Sequence, residues 1–159
     1  VEVAVPGVIA GARAGLDIGM ARIGLAYAEP GSRLALPLRT IEVRPDGSEL
    51  EQIVEALLSR SITVAYVGLP LKLNGREGEA ARMARSYARR LARRCPEIQL
   101  RLIDERLTSS SAHSRLQAAG VGAREHRQMV DQVAAGVILE QALDMESLRG
   151  EIPGEMVIG

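Results

Sequence analysis

The chain of 159 residues contains no Phe and no Trp, and its aromatic side chains are Tyr27, Tyr66 and Tyr87 alone. The core must therefore be built from Leu, Ile, Val and Ala, and platforms for stacking nucleobases are scarce. A nucleic-acid partner would have to be held mainly through its phosphates. Cys95 is the single cysteine, which excludes an internal disulfide and a cysteine-based zinc site. The two histidines, His113 and His126, stand in no recognisable relation to Cys95, so nothing indicates a Cys–His nucleophile. Lys72 is the only lysine; the other cations are Arg, the side chain suited to bidentate phosphate contact. Cations and acids balance at 20 each, which argues neither for nor against nucleic acid. No run is apolar enough to cross a membrane, and the opening VEVAVPGVIAGARAG lacks the basic start and long apolar stretch of a signal peptide. The chain is expected to be cytoplasmic.

What is present suits one domain, expected over residues 13–145 between a flexible N-terminal segment (1–12) and a flexible tail (146–159). Strands are expected at 13–19, Ile23–Ala28 and Leu34–Val43, joined by short connections as an antiparallel meander. Ser48 with Glu51 predicts a capping box for a helix burying Leu50, Ile53, Val54, Leu57 and Leu58. The continuous apolar run Ile62–Gly68 suits a central strand covered on both faces. A helix over 76–95 would bury Ala80, Met83, Ala84, Tyr87, Ala88 and Leu91. Its other face carries Arg82, Arg85, Arg89, Arg90, Arg93 and Arg94, better read as a solvated face than as a grip on a backbone. A fifth strand, Ile98–Ile103, precedes a helix capped by Thr108 or Ser109 and ending at Gly120, and Met129–Leu143 forms the last helix. This order predicts an α/β ribonuclease-H-like fold: a mixed five-stranded sheet, three antiparallel strands then two parallel, flanked by helices.

Three acidic positions fall at related places in that fold. Asp17 ends the first strand, where alternation gives it only Gly15 and Gly19 as same-face neighbours. Asp104 and Glu105 end the fifth strand. Alternation does not decide between them: Asp104 is in register with Leu100 and Leu102, Glu105 with Arg101 and Ile103. The longer Glu105 reaches over the strand end and is preferred as ligand, with Asp104 as the alternative. Asp131 shares a helix face with Ala134, Ala135 and Ile138, a stripe expected to face the core. A carboxylate there is costly unless it is paired or bound to a metal. Alone, each acid has an ordinary reading: a turn residue, a helix-dipole partner, a salt bridge to Arg106 or Arg127. Together they suggest a site of hard oxygen donors suited to Mg²⁺ or Mn²⁺. Two such ions about 4 Å apart can support in-line phosphodiester hydrolysis by water.

Four stretches then carry a resemblance: LDIGMARIGLA at 16–26, VGLPLKLNG at 67–75, DERLTS at 104–109 and VDQVAAGVILE at 130–140. The chain resembles the YqgF/RuvX family, a bacterial branch of the RuvC-like nucleases of ribonuclease-H fold. The resemblance implies Asp17, Glu105 and Asp131 as catalytic acids and metal ligands. It implies Arg22 and Arg106 as residues that contact phosphate or brace the acids, and adds Lys72, Asn74 and Thr108 as nucleic-acid contacts. Where the family often has a lysine two residues before its last aspartate, this chain has Met129; Arg124 and Arg127 can supply the charge. The family is described both as Holliday-junction resolvases and as nucleases that mature the 5′ end of precursor 16S ribosomal RNA, and the sequence does not choose between DNA and RNA. Junction resolution needs two coordinated cuts, which favours a symmetric homodimer. The competing expectation is a catalytically silent nucleic-acid-binding scaffold of ribosome or repair complexes.

Overall fold

A computed structural model of the chain describes residues 10–105 and 123–159, without the side chains of 123–128. Its elements, in order, are β1 (Ala12–Ile18), β2 (Arg22–Ala28), β3 (Leu36–Glu42), α1 (Glu49–Ser59), β4 (Ile62–Leu69), α2 (Glu79–Arg94), β5 (Gln99–Asp104), α3 (Ala123–Arg149) and β6 (Glu155–Val157). They form one mixed sheet ordered β3-β2-β1-β4-β5-β6. β1, β2 and β3 pair antiparallel, while β4 lies parallel to both β1 and β5. This is the expected ribonuclease-H-like arrangement, with one strand more than expected. Among the described residues no helix is long and apolar enough to cross a membrane.

The sixth strand corrects the reading of 146–159 as a loose tail. α3 continues to Arg149 and ends at Gly150, whose φ of +68° is open to glycine at little cost. The chain then pairs antiparallel with β5, Leu100 opposite Val157 and Leu102 opposite Glu155. Three residues are too few to show an alternation, so the sequence carries no local signal for β6. The helix expected from Thr108 or Ser109 to Gly120 lies outside the described residues.

Strand alternation divides the core. Ala12, Ala14, Leu16 and Ile18 of β1 pack with Ile53, Val54 and Leu57 of α1 and with Ala84, Tyr87 and Leu91 of α2. The opposite face packs Ala26, Val64, Tyr66 and Ile103 under Ala135, Ile138, Leu139 and Ala142 of α3. Three details of the helices differ from expectation. Leu58 is 48% exposed, and Glu49 and Ala56 are buried in α1 in addition to Ile53, Val54 and Leu57. The Ser48 side chain makes no cap bond; Glu49 instead accepts from the Arg44 N–H at 3.1 Å and from the Tyr87 hydroxyl at 2.8 Å. A capping box requires an extended cap residue, and Ser48 is already helical, with φ −65° and ψ −15°. In α2, Ala81 rather than Ala80 is buried.

α3 lies very close to the sheet. A Cβ built on Gly15 would meet the Ala135 carbonyl and the Leu139 Cβ, the latter at 2.8 Å; one on Gly24 would meet the Asp131 carbonyl and, at 2.8 Å, the Asp131 Cβ. The far half of the helix is fixed by a buried polar cluster. Arg13 donates to Glu146 through Nε and Nη2 at 3.0–3.3 Å, and the Tyr66 hydroxyl donates to Glu146 at 2.5 Å. Arg13 also donates to the Gly11 carbonyl and to Thr63 Oγ1, each at 3.0 Å.

Two outcomes follow for stability. Gly15→Ala should cost about 1–3 kcal/mol in urea unfolding, because the added methyl must push the backbone of α3 away. Glu146→Ala should cost about 3–5 kcal/mol, since it strands the Arg13 charge in the core. Glu146→Gln, which keeps the shape and two acceptor lone pairs, should cost less than Glu146→Ala in the same measurement.

Candidate active site

The acids sit at one end of the sheet on the face covered by α3. Ala14, Leu16 and Ile18 point toward α1 and α2, so Asp17 points the other way. Across the β1–β2 ladder its partner is Gly24. On the β4 side Leu16 pairs with Val67, which puts Gly68 beside Asp17. Asp17 is thus flanked by glycine on both neighbouring strands, and each glycine makes room for another acid. Gly24 lies under Asp131. Gly68 lies under the Glu105 carboxylate, where a Cβ would collide with Glu105 Oε2 and, at 2.6 Å, with Ile138 Cδ1.

The same parity separates the two acids at the end of β5. Leu100 and Leu102 pack toward α1 and α2, Ile103 toward α3. Glu105 therefore follows Ile103 onto the Asp17 face, with its N–H donating to the Leu69 carbonyl at 3.2 Å. Asp104 follows the other parity and acts on Glu105 as a neighbouring negative charge.

Burial and mutual repulsion set the electrostatics. Desolvation, aided by the charge of Asp131, pushes Asp17 up to about 6. Desolvation, aided by Asp17 and Asp104, pushes Glu105 up to about 8. The carboxylates form a row with Asp17 between Glu105 and Asp131. Asp131 has a cation in contact: Arg22 Nε donates to its Oδ2 at 2.7 Å. Among the described residues no three His, Cys, Asp or Glu side chains converge tightly enough to ligate one ion. The donor set nevertheless fits a divalent cation. It is all carboxylate oxygen, and two of its members carry raised pKa values that a positive charge would relieve.

The other candidates are more dispersed. Lys72 and Asn74 are exposed on a short turn after β4, closed by the Leu71–Glu77 bridge and by Lys72 accepting from the Gly75 N–H at 2.8 Å. The Asn74 side chain accepts from the Arg76 N–H at 2.9 Å, a turn-forming bond. Arg106 and Thr108 lie outside the described residues; Arg124 and Arg127 lie on the first turns of α3, with side chains outside them. Three of the six arginines on the outer face of α2 are engaged in ion pairs or a ring contact. Arg85 binds Glu77 and Glu155, Arg94 binds Glu51, and Arg90 stacks on the Tyr87 ring at 4.2 Å. Sequence reasoning missed the part played by Gly24 and Gly68, because a cross-strand neighbour is visible only once the register is known.

The raised acids make stability fall with pH. Between about pH 4 and pH 8 the folded protein retains protons at Asp17 and Glu105 that the unfolded chain has released. Chelator-treated protein should therefore lose several kcal/mol, at most about 8, across that window and level off above it. Asp17→Asn should flatten part of the slope and raise the melting temperature at pH 8, and saturating Mg²⁺ should do the same for the unaltered chain. A melting temperature that rises from pH 5 to pH 8 in chelator would contradict this electrostatic picture.

Residues 11–145 match the family model described as "RuvX: Holliday junction resolvase". Similar proteins carry the name "Putative pre-16S rRNA nuclease". One from Kineococcus radiotolerans is 41% identical over 94% of this chain and 79% of its own length. Another from Nocardioides sp. is 43% identical over 93% of this chain and 97% of its own length. Among solved structures, T. thermophilus RuvC in complex with Holliday junction substrate superposes with a TM-score of 0.58 at 14% identity, covering 92% of this chain and 99% of that one. At that identity the likeness shows the fold, which is the RuvC-like ribonuclease-H fold derived above. On the family match and these relatives, the chain belongs to the RuvX family.

Proposed function

We propose that this chain is a divalent-metal-dependent endonuclease that hydrolyses phosphodiester bonds in structured nucleic acid. The observation that carries this reading is the row Glu105–Asp17–Asp131, packed over glycines at the carboxyl ends of β1 and β5 and destabilised by its own charge. Membership of a family whose members are named as nucleases supports it. Asp17, Glu105 and Asp131 would hold Mg²⁺ or Mn²⁺, with Asp104 as the alternative donor. When bound, such ions supply positive charge against the phosphodiester and acidify water for hydrolysis.

The chain's own residues account for the rest of the recognition. Glycines on both sides of Asp17 seat Asp131 and Glu105 against it, so a phosphate would reach the acid row only through the opening at the strand end. Arg22 on the β1–β2 side and Lys72 and Asn74 after β4 flank that opening from adjacent strands, and are proposed as backbone contacts with Arg106, Thr108, Arg124 and Arg127. Tyr27, Tyr66 and Tyr87 are all buried, so bases find no aromatic platform here. Recognition then rests on phosphates and on the shape of the nucleic acid. The relatives' name points to precursor 16S ribosomal RNA and the family model's description to a four-way DNA junction. Junction cutting would require two copies of the chain acting together as a homodimer.

A cleavage assay in Mn²⁺ or Mg²⁺ tests the proposal, with a four-way DNA junction, linear duplex DNA and a precursor 16S leader as substrates. Asp17→Asn should lower cleavage by at least about a hundredfold while binding persists. Paired nicks at the junction centre would identify a resolvase, and cuts in the leader alone an RNA-processing nuclease. Binding without cleavage of any substrate by either metal would sink the enzyme reading in favour of a scaffold.

A further inference from the structure

Arg22 is tied to the acid row at two points. Its carbonyl accepts from the Gly19 N–H at 3.0 Å, closing the β1–β2 turn, and its Nε donates to Asp131 at 2.7 Å. The backbone is fixed by the ladder, where Arg22 pairs with Glu42; only the side chain is free to change partners. Asp131 retains 16% of its side-chain exposure and Arg22 37%, so the guanidinium has one flank on the carboxylate and another in solvent. Glu42 is occupied on its own side by Arg44 at 3.7 Å.

A guanidinium and a divalent ion neutralise the same carboxylate, and each repels the other. We infer that Arg22 is the stand-in cation of the metal-free site: it neutralises Asp131 until a divalent ion takes that carboxylate, which frees the guanidinium for a nucleic-acid phosphate. This inference rests on the reading of Asp17, Glu105 and Asp131 as the metal site. It makes metal and nucleic acid cooperative ligands, each raising the affinity of the other by the same factor. It also has a sign opposite to the obvious alternative. If Arg22 merely braced Asp131 in a ligating orientation, its removal would weaken metal binding; if it competes, removal strengthens metal binding.

The test is a Mn²⁺ titration of the full chain without nucleic acid, following free ion by electron paramagnetic resonance, with melting curves to confirm folding. Arg22→Gln should bind Mn²⁺ roughly three- to tenfold more tightly than the unaltered chain. Arg22→Lys should stay near the original affinity, and Asp17→Asn should fall well below it. In the unaltered chain, Mg²⁺ should shift the Arg22 Nε–H resonance and remove its protection from exchange. With Ca²⁺ as a probe ion, junction binding should strengthen in the unaltered chain and respond less in Arg22→Gln. Equal or weaker Mn²⁺ binding by Arg22→Gln, or an Nε–H still protected at metal saturation, would overturn the role of Arg22 and leave the metal site standing. Mn²⁺ binding that is absent, or indifferent to Asp17→Asn, would overturn both.

Discussion

The close approach of α3 to the sheet is the constraint on which the rest of the site depends. Gly15 and Gly24 allow it on the strand side, and Asp131, Ala135 and Leu139 meet it on the helix side. A helix seated this low excludes water from the strand ends beneath it. That exclusion accounts for the largest contribution to the raised pKa values of Asp17 and Glu105. The same seating brings Asp131 within reach of both Asp17 and Arg22. Packing, electrostatics and ion-pair geometry are therefore consequences of one set of missing Cβ atoms rather than separate adaptations.

A helix 27 residues long needs its register fixed as well as its height. Glu146 lies 15 residues beyond Asp131, about 22 Å along the axis at 1.5 Å per residue. There it meets Arg13 and Tyr66, one from β1 and one from β4, in a cluster with almost no access to solvent. Polar bonds nearer the middle join α3 to the β3 edge: Gln132 donates to Thr40 Oγ1 at 3.0 Å, and Glu140 accepts from the Ala35 N–H at 3.3 Å. A buried ion pair adds little net stability over an apolar substitute of the same shape. What it adds is direction. Sliding α3 by one turn would bury Glu146 without Arg13 and would carry Asp131 away from Gly24. The apolar contacts alone, made by Ala and Leu along the helix, do not distinguish those registers as sharply.

The sequence disclosed those parts of this arrangement that obey a local period. Alternation located Asp17 at a strand end, the helical period put Asp131 on the stripe with Ala135 and Ile138, and the order of elements specified the sheet up to β5. What escaped was whatever depends on two segments meeting. Nothing local to Gly24 or Gly68 shows that the ladders set them on either side of Asp17. Glu146 fell in a stretch expected to be loose, and nothing local to the first strand marks Arg13 as its partner. Glu49 was masked by the more familiar pairing of Ser48 with Glu51, although the buried acceptor is Glu49. The choice between Asp104 and Glu105 needed one further fact, namely which face of β5 lies under α3.

The metal-free site is arranged against its own stability. Three carboxylates are held near one another, two of them with their charged forms disfavoured, and one guanidinium offsets part of the charge at one end. An isolated domain gains nothing from such a cluster, and replacing any of its members by a neutral isostere would relieve repulsion. Partial neutralisation is nevertheless the useful state. A row left wholly unpaired would take up protons or force α3 from the sheet, and a row fully paired with arginines would leave no negative charge to attract a cation. One guanidinium on the helix-borne Asp131 offsets the charge there and leaves Asp17 and Glu105, both shielded from water, to be relieved by protons or by a cation. The site is thus uneven: its Asp131 end is already satisfied by Arg22, while its Asp17–Glu105 end is buried against its own charge and is where a cation would relieve most.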